Sequence, residues 1–143
     1  MANKNLRFVL ISPEASIFDG DVKYVGLPTA DGEIGIMADH LPLVTIISSG
    51  VISVKDASGK EHLLSTGGGF IEIKNNIARA FVQSAEFADS IDEQRAIAAV
   101  KQAKEIMDSV EDEISLADAS SILERNIARI KTIERKKKYR NVH

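Results

Sequence analysis

A chain of 143 residues, 44% hydrophobic and 27% charged, has the composition of one globular domain, or of a small domain with an appendage. It contains no cysteine, which excludes disulfides, thiolate catalysis and cysteine-ligated zinc, and no tryptophan, with aromatics at 5%, which leaves little to stack on single-stranded nucleic acid. The net charge of −3 conceals a gradient: residues 1–85 carry −2, residues 86–118 carry −7 and residues 119–143 carry +6.

From the N-terminus the patterning has period two. LRFVLIS (6–12) alternates apolar residues with others, and its apolar burst is too short for a signal-peptide core, so export is not expected. GVISVKD (50–56), KEHLLST (60–66) and GFIEIKNNIARAFVQSA (69–85) continue the pattern. Asp56-Ala57-Ser58-Gly59 and Lys74-Asn75-Asn76 supply turn chemistry between them. Short strands with no helical pattern between them predict a β-sandwich, or flattened barrel, of about ten strands over residues 1–87. No run approaches the ~20 apolar residues that span a bilayer.

Near residue 87 the period becomes helical. Ser90 and Glu93 stand at capping-box spacing, and Ala96, Val100, Ala103, Met107 and Val110 then form one stripe. A second helix is expected from Ser115, with Asp118 three residues on and Leu116, Ser120, Leu123, Ile127 and Ile130 as its stripe. The linker EDEI (111–114) is short, so the helices fold back as an antiparallel hairpin over residues 88–143. The fold class expected is therefore α+β: an N-terminal β-sandwich followed by a C-terminal two-helix hairpin. The first stripe is rich in alanine and buries little area at roughly 25 cal/mol per Å². Such a hairpin is expected to be marginal alone and able to detach and extend.

GEIGIMADHLPLV (32–44) looks catalytic, because Glu33, Asp39 and His40 sit close together in sequence. A metal site, however, needs three or four ligands at defined spacing, and adjacent Asp39 and His40 generally point apart. His62 follows Glu61 in an alternating strand, and His143 is the last residue. STGGGF (65–70) lacks the Lys-Ser/Thr and the helix of a phosphate-binding loop; Gly67, Gly68 and Gly69 instead suit a bulge or a close backbone approach. ERKKKYR (134–140) places cations at the negative end of a helix dipole, where a solvated helix end or a contact to an acidic protein surface explains them before nucleic acid does. The residues thus support no catalytic site and no metal site. Two other classes stay open on the residues alone: a stand-alone β-sandwich ligand-binding module with a helical dimerisation tail, and a nucleotide-hydrolysing enzyme, for which no P-loop, metal cluster or nucleophile–base pair is present.

Three segments together carry a family resemblance. GEIGIMADHLPLVTIISSGVISV, GGGFIEIKNNIARAFVQSAE and IDEQRA (91–96) resemble the corresponding segments of the ε subunit of bacterial F-type ATP synthase, along essentially the whole chain. The family commonly has Pro-Gly before the histidine, where this chain has Ala38-Asp39; aspartate tolerates left-handed backbone, so the turn can survive. The resemblance implies a non-catalytic central-stalk subunit that needs no cofactor, peripheral on the cytoplasmic face of the bacterial plasma membrane, with the γ subunit, the c-ring and the catalytic α/β subunits as partners.

It implies a loop of Asp31, Gly32, Glu33, Ile34 and Gly35 facing the c-ring, with Glu33 offered outward and with His40 and Pro42 shaping the adjoining turn. It implies inhibition of ATP hydrolysis by the extended hairpin, through contacts of Arg125, Arg129, Arg135, Lys136, Lys137 and Lys138 to β and γ. Some members bind regulatory ATP on the folded hairpin, and the matching positions here are Glu86, Asp92, Arg95, Ala96, Arg125 and Arg129. Arg125 and Arg129 are four apart on one helix face, so both are expected to meet one triphosphate. The position seven after Arg95, basic in those members, is Gln102 here.

Overall fold

Nine strands and two helices make up residues 4–142, the part of the chain that the computed structural model describes; His143 lies outside it. In chain order they are β1 (Leu6–Ile11), β2 (Ser16–Thr29), β3 (Gly32–Ile36), β4 (Leu43–Ile47), β5 (Gly50–Asp56), β6 (Glu61–Thr66), β7 (Gly69–Lys74), β8 (Ile77–Val82), β9 (Ala85–Phe87), α1 (Glu93–Ser109) and α2 (Glu113–Val142). A 3-10 turn over Ala88–Ser90 joins β9 to α1.

One sheet folded over on itself supplies both layers. Its strand order is β4-β7-β8-β1-β2-β5-β6-β9, with β3 paired to β2. The fold line is β2, 14 residues long: its first half pairs with β1, and beyond Val22 it pairs with β5 and β3. A register shift between Val22 and Tyr24 marks where it bends. All neighbours are antiparallel except β1 and β8. Alternation drives the closure: Leu6, Phe8 and Leu10 are buried while Arg7 between them is exposed. With Val22, Val25, Leu27, Ile36, Ile52, Val54, Leu64, Ile71 and Ile73 they form the core between the layers.

The turns are fixed by short polar side chains. The Asp56 carboxylate accepts from the Ser58 hydroxyl at 2.6 Å and from the amides of Ser58 and Lys60, both at 2.9 Å, and lies 2.9 Å from His62 Nε2. The Ser58 hydroxyl first, and then His62, hold its carboxyl well below the usual aspartate range. Asn75 and Asn76 take left-handed φ of 52° and 61°, and the Asn76 amide donates to the Asn5 carbonyl at 2.8 Å.

Three boundaries differ from expectation. The segment read as a loop, 31–35, is a tight turn at Ala30-Asp31 followed by strand β3, because Gly32 through Ile36 find ladder partners on β2. The cap of α1 is Asp92, not Ser90: the chain is extended at Ile91 and Asp92, and the Asp92 carboxylate accepts from the Arg95 amide at 3.1 Å. In the same way α2 starts at Glu113, before Ser115, because the Asp112 carboxylate accepts from the Ser115 amide at 2.8 Å. The connection is thus only Val110–Asp112, and the two helices pack antiparallel.

The hairpin lies on the sandwich, with α2 against β5 and β6. This explains why the period-two alternation fails in those strands, where Ile52-Ser53-Val54 and Leu63-Leu64-Ser65-Thr66 are buried throughout. Ile52, Val54 and Leu64 belong to the core, whereas Ser53, Leu63 and Ser65 stand on the opposite face, beneath α2. On α2 the buried residues are Ala119, Asn126, Ala128, Thr132 and Ile133, not the expected Leu116–Ile130 stripe, because one helix serves two neighbours, α1 and the sheet. Most of what meets across these surfaces is alanine, serine, asparagine or threonine, so little apolar area holds the hairpin down.

Candidate functional site

Three surfaces carry functional groups. The first lies beside the docked helix, where the Arg135 side chain of α2 reaches Glu33 on β3. Gly26 and Gly35 face each other across β2 and β3, leaving a shallow bed in the sheet. A Cβ on Gly35 would lie 2.8 Å from the Tyr24 ring, and one on Gly26 would run into Glu33 Oε1 and lie 2.5 Å from Ser53 Oγ. Glu33 therefore lies back across the sheet toward α2, where Arg135 Nη2 is 3.5 Å from Oε1. Glu33, expected on a loop, stands exposed on a strand and pairs with Arg135 of the same chain.

The rest of the basic helix end is engaged in the same manner. Arg129 pairs with Glu86 at 3.2 Å, Lys136 with Asp89, and Lys137 with Glu93 at 3.0 Å. Four of the six cations expected to reach other subunits are thus paired within the chain, while Arg125 and Lys138 have no ion pair among the described residues. Each exposed or half-exposed pair contributes about 0.2–1 kcal/mol and weakens with salt.

The second surface is a polar cleft of about 330 Å³ at the junction of β9, α1 and α2. It is lined by Glu86, Ser90, Asp92, Arg95, Ala96, Ala99, Asn126 and Arg129. Five of the six residues expected around a nucleotide meet here. Arg125 does not line it and stays exposed, because the face of α2 that reaches the cleft runs through Asn126 and Arg129. Asn126 was missed: it is 4% exposed, its amide donates to the Ile122 carbonyl at 2.8 Å, and its carbonyl oxygen accepts from Arg129 Nη1 at 2.9 Å. An asparagine amid the apolar spacing of the second helix was the signal that could have found it.

A third surface belongs to the layer that α2 leaves bare. Ile46, Phe70, Phe81 and Ile11 are successive cross-strand partners on β4, β7, β8 and β1. Ile46 is 73% exposed, Val44 beside it 69%, Phe70 44% and Phe81 37%, and the two phenylalanine rings stack with centroids 5.1 Å apart. The sequence signal for it is the run of apolar residues at both alternating positions of LVTII.

In the turn after β3, Asp39 takes φ 63°, accepts from Lys4 Nζ at 3.0 Å, and its amide donates to the Asn76 side chain at 2.9 Å. His40 Nδ1 lies 2.7 Å from the Leu41 carbonyl oxygen, its amide donates to the Met37 carbonyl at 3.3 Å, and Pro42 follows, exposed. Among the described residues no three His, Cys, Asp or Glu side chains are grouped to hold a metal ion, and no helix is long and apolar enough to cross a membrane.

Residues 5–88 match the family described as the ATP synthase delta/epsilon chain beta-sandwich domain, and residues 89–134 match its long alpha-helix domain. The chain belongs to the delta/epsilon family of ATP synthase subunits. Curated relatives agree: the ATP synthase epsilon chain of Desulforamulus reducens is 37% identical, covering 92% of this chain and 98% of the relative, and that of Syntrophomonas wolfei is 32% identical, covering 94% and 98%. A chain of the Euglena gracilis mitochondrial ATP synthase structure shares the fold, with a TM-score of 0.77 at 21% identity, covering 87% of this chain and 78% of that one. As an epsilon-type member, the chain is a structural rather than a catalytic subunit of ATP synthase.

Proposed function

We propose that the sandwich is the rotor-side coupling piece of the synthase: its bare apolar layer receives the γ subunit, and its Ala30-Asp31 end faces the c-ring, on the cytoplasmic face of the membrane. The observation that carries this reading is the exposed row Ile46–Phe70–Phe81, which half-buried Ile11 continues on β1. An apolar, aromatic row on an antiparallel sheet is costly to leave in water and supplies the anchors that dominate interface energies. Phe70→Asp should abolish co-purification of the chain with γ, weakening binding by about thirtyfold or more. The isolated variant should unfold at nearly the same temperature, because Phe70 lies outside the core. Unchanged co-purification would assign γ to another surface.

The hairpin is the regulatory part. Folded, it keeps Arg129, Arg135, Lys136 and Lys137 in contact with this chain's own acids; extended, it offers the same cations to acidic surfaces of the catalytic subunits and restrains hydrolysis. The polar cleft suits a regulatory ATP, with Arg95 and Arg129 as phosphate partners and Ala96 and Ala99 admitting a flat base. Because Arg125 lies outside the cleft and Gln102 replaces a cation, binding rests on two arginines. Titration of the free chain with ATP and Mg²⁺ should release heat, and Arg129→Gln should weaken affinity about tenfold or more. No heat at millimolar ATP would remove nucleotide from this cleft.

A further inference from the structure

We propose that Glu33 is a shared contact: Arg135 of α2 holds it while the hairpin lies on the sandwich, and it is freed for the c-ring when the hairpin leaves. The proposal rests on the reading of the β2–β3 hairpin as ring-facing, and it adds the regulation of that contact.

The bed under Arg135 is built for one carboxylate. Glu33 and Gly35 are two apart on β3 and share a face of the sheet, and Gly35 is paired with Gly26. With no side chain on either glycine, Glu33 can lie flat across β2, and Tyr24 closes the other side of the bed. Ser53 on β5 completes it: its hydroxyl is in a residue only 3% exposed and has no hydrogen-bond partner among the described residues. Ser53 Oγ and Glu33 Oε1 both occupy the space above Gly26, so a small rotation lets the hydroxyl donate to the carboxylate.

From above come Arg135 and Tyr139, one turn apart on α2 and hydrogen-bonded to each other. Burial and the Glu33 charge push the Tyr24 phenol above its usual range, so it remains a donor. The Glu33 side chain is still 40% exposed, so partners can exchange without unfolding the strand. A carboxylate drawn back over Gly26 by Arg135 does not at the same time reach out past the Ala30-Asp31 turn. Hairpin position and ring contact are thereby coupled through a single side chain, and the coupling is reciprocal.

The absence of cysteine allows clean spin labelling at Ala57→Cys and Ser121→Cys, both exposed, one on the β5–β6 turn and one on α2. Pulsed electron resonance on the full chain then gives the ratio of extended to folded hairpin. Glu33→Gln and Arg135→Gln should each raise that ratio about two- to fivefold, the range for one partly exposed ion pair. The double variant should add nothing further, and the swapped pair Glu33→Arg with Arg135→Glu should restore part of the loss. Arg135→Gln lies outside the sandwich and keeps the test valid if Glu33→Gln disturbs it.

An unchanged ratio in both single variants, or fully additive effects in the double variant, would overturn the folded-state contact. The ring contact is tested separately in assembled synthase whose chain ends at residue 87, where Arg135 is absent. There Glu33→Gln should still lower ATP-driven ion pumping per ATP hydrolysed. Undiminished pumping would refute the ring-facing reading, and the sharing with it, even if the hairpin ratio had moved.

Discussion

Gly69→Ala is expected to destabilise the sandwich by about 3 kcal/mol, the upper range for forced overpacking. Gly69 opens β7, an inner strand with β4 on one side and β8 on the other, opposite Ile47 and Val82. A Cβ there would run into the Phe81 carbonyl oxygen and lie 2.8 Å from the Val82 Cα. Both are backbone atoms of the paired strand, so no rotamer can relieve the clash and the two strands must part. For a domain of this size the melting temperature should fall by roughly 15 °C. Gly59→Ala is the matched comparison, since Gly59 has φ +90° but open space around it. It should cost only ~1 kcal/mol of left-handed strain. Urea unfolding of the two variants separates the cases, and equal losses would mean that backbone conformation, not strand approach, is what selects glycine at 69.

Ending the chain at residue 87 is expected to leave γ binding and assembly intact and to raise ATP hydrolysis by the complex several-fold. The sandwich should survive because its core lies between the two layers of the folded sheet, and among the residues of that core none comes from a helix. Removing α2 uncovers Ser53 and Ser65, which water satisfies, and Leu63, an ordinary single exposed leucine. The exposed row proposed to meet γ is untouched, being on strands that α2 does not cover. Hydrolysis should rise because the truncation removes every cation of residues 119–143, which carry a charge of +6. Co-purification with γ and steady-state hydrolysis check the two halves, and failed assembly would show that the hairpin is structural.

Much of this was legible from patterning, and the parts that were not share a physical cause. Period two gave β1, β5, β6, β7 and β8 because each has a face turned to the core. Strand β3 hid in GEIGI because two glycines and a glutamate read as a loop; ladder partners on β2, not side-chain propensity, make it a strand. The cap at Asp92 was displaced from Ser90 by a 3-10 turn that no local signal announces. The pairing of the basic residues of α2 was invisible for a different reason. Glu33, Glu86 and Asp89 are brought to Arg135, Arg129 and Lys136 only by docking the helix across β5 and β6, a tertiary event. Asn126 and Arg129 entered the polar cleft, and Arg125 left it, by the rotation of that same docked helix.

The long strand β2 has a mechanical consequence. At about 3.3 Å per residue its 14 residues run roughly 45 Å, so a single covalent segment is a member of both layers. One half is hydrogen-bonded to β1 and the other to β3 and β5, so the layers cannot slide over each other without shearing a ladder on one side of the bend. A load applied at the exposed aromatic row therefore reaches the Ala30-Asp31 tip through backbone bonds in parallel, with little elastic loss along the way.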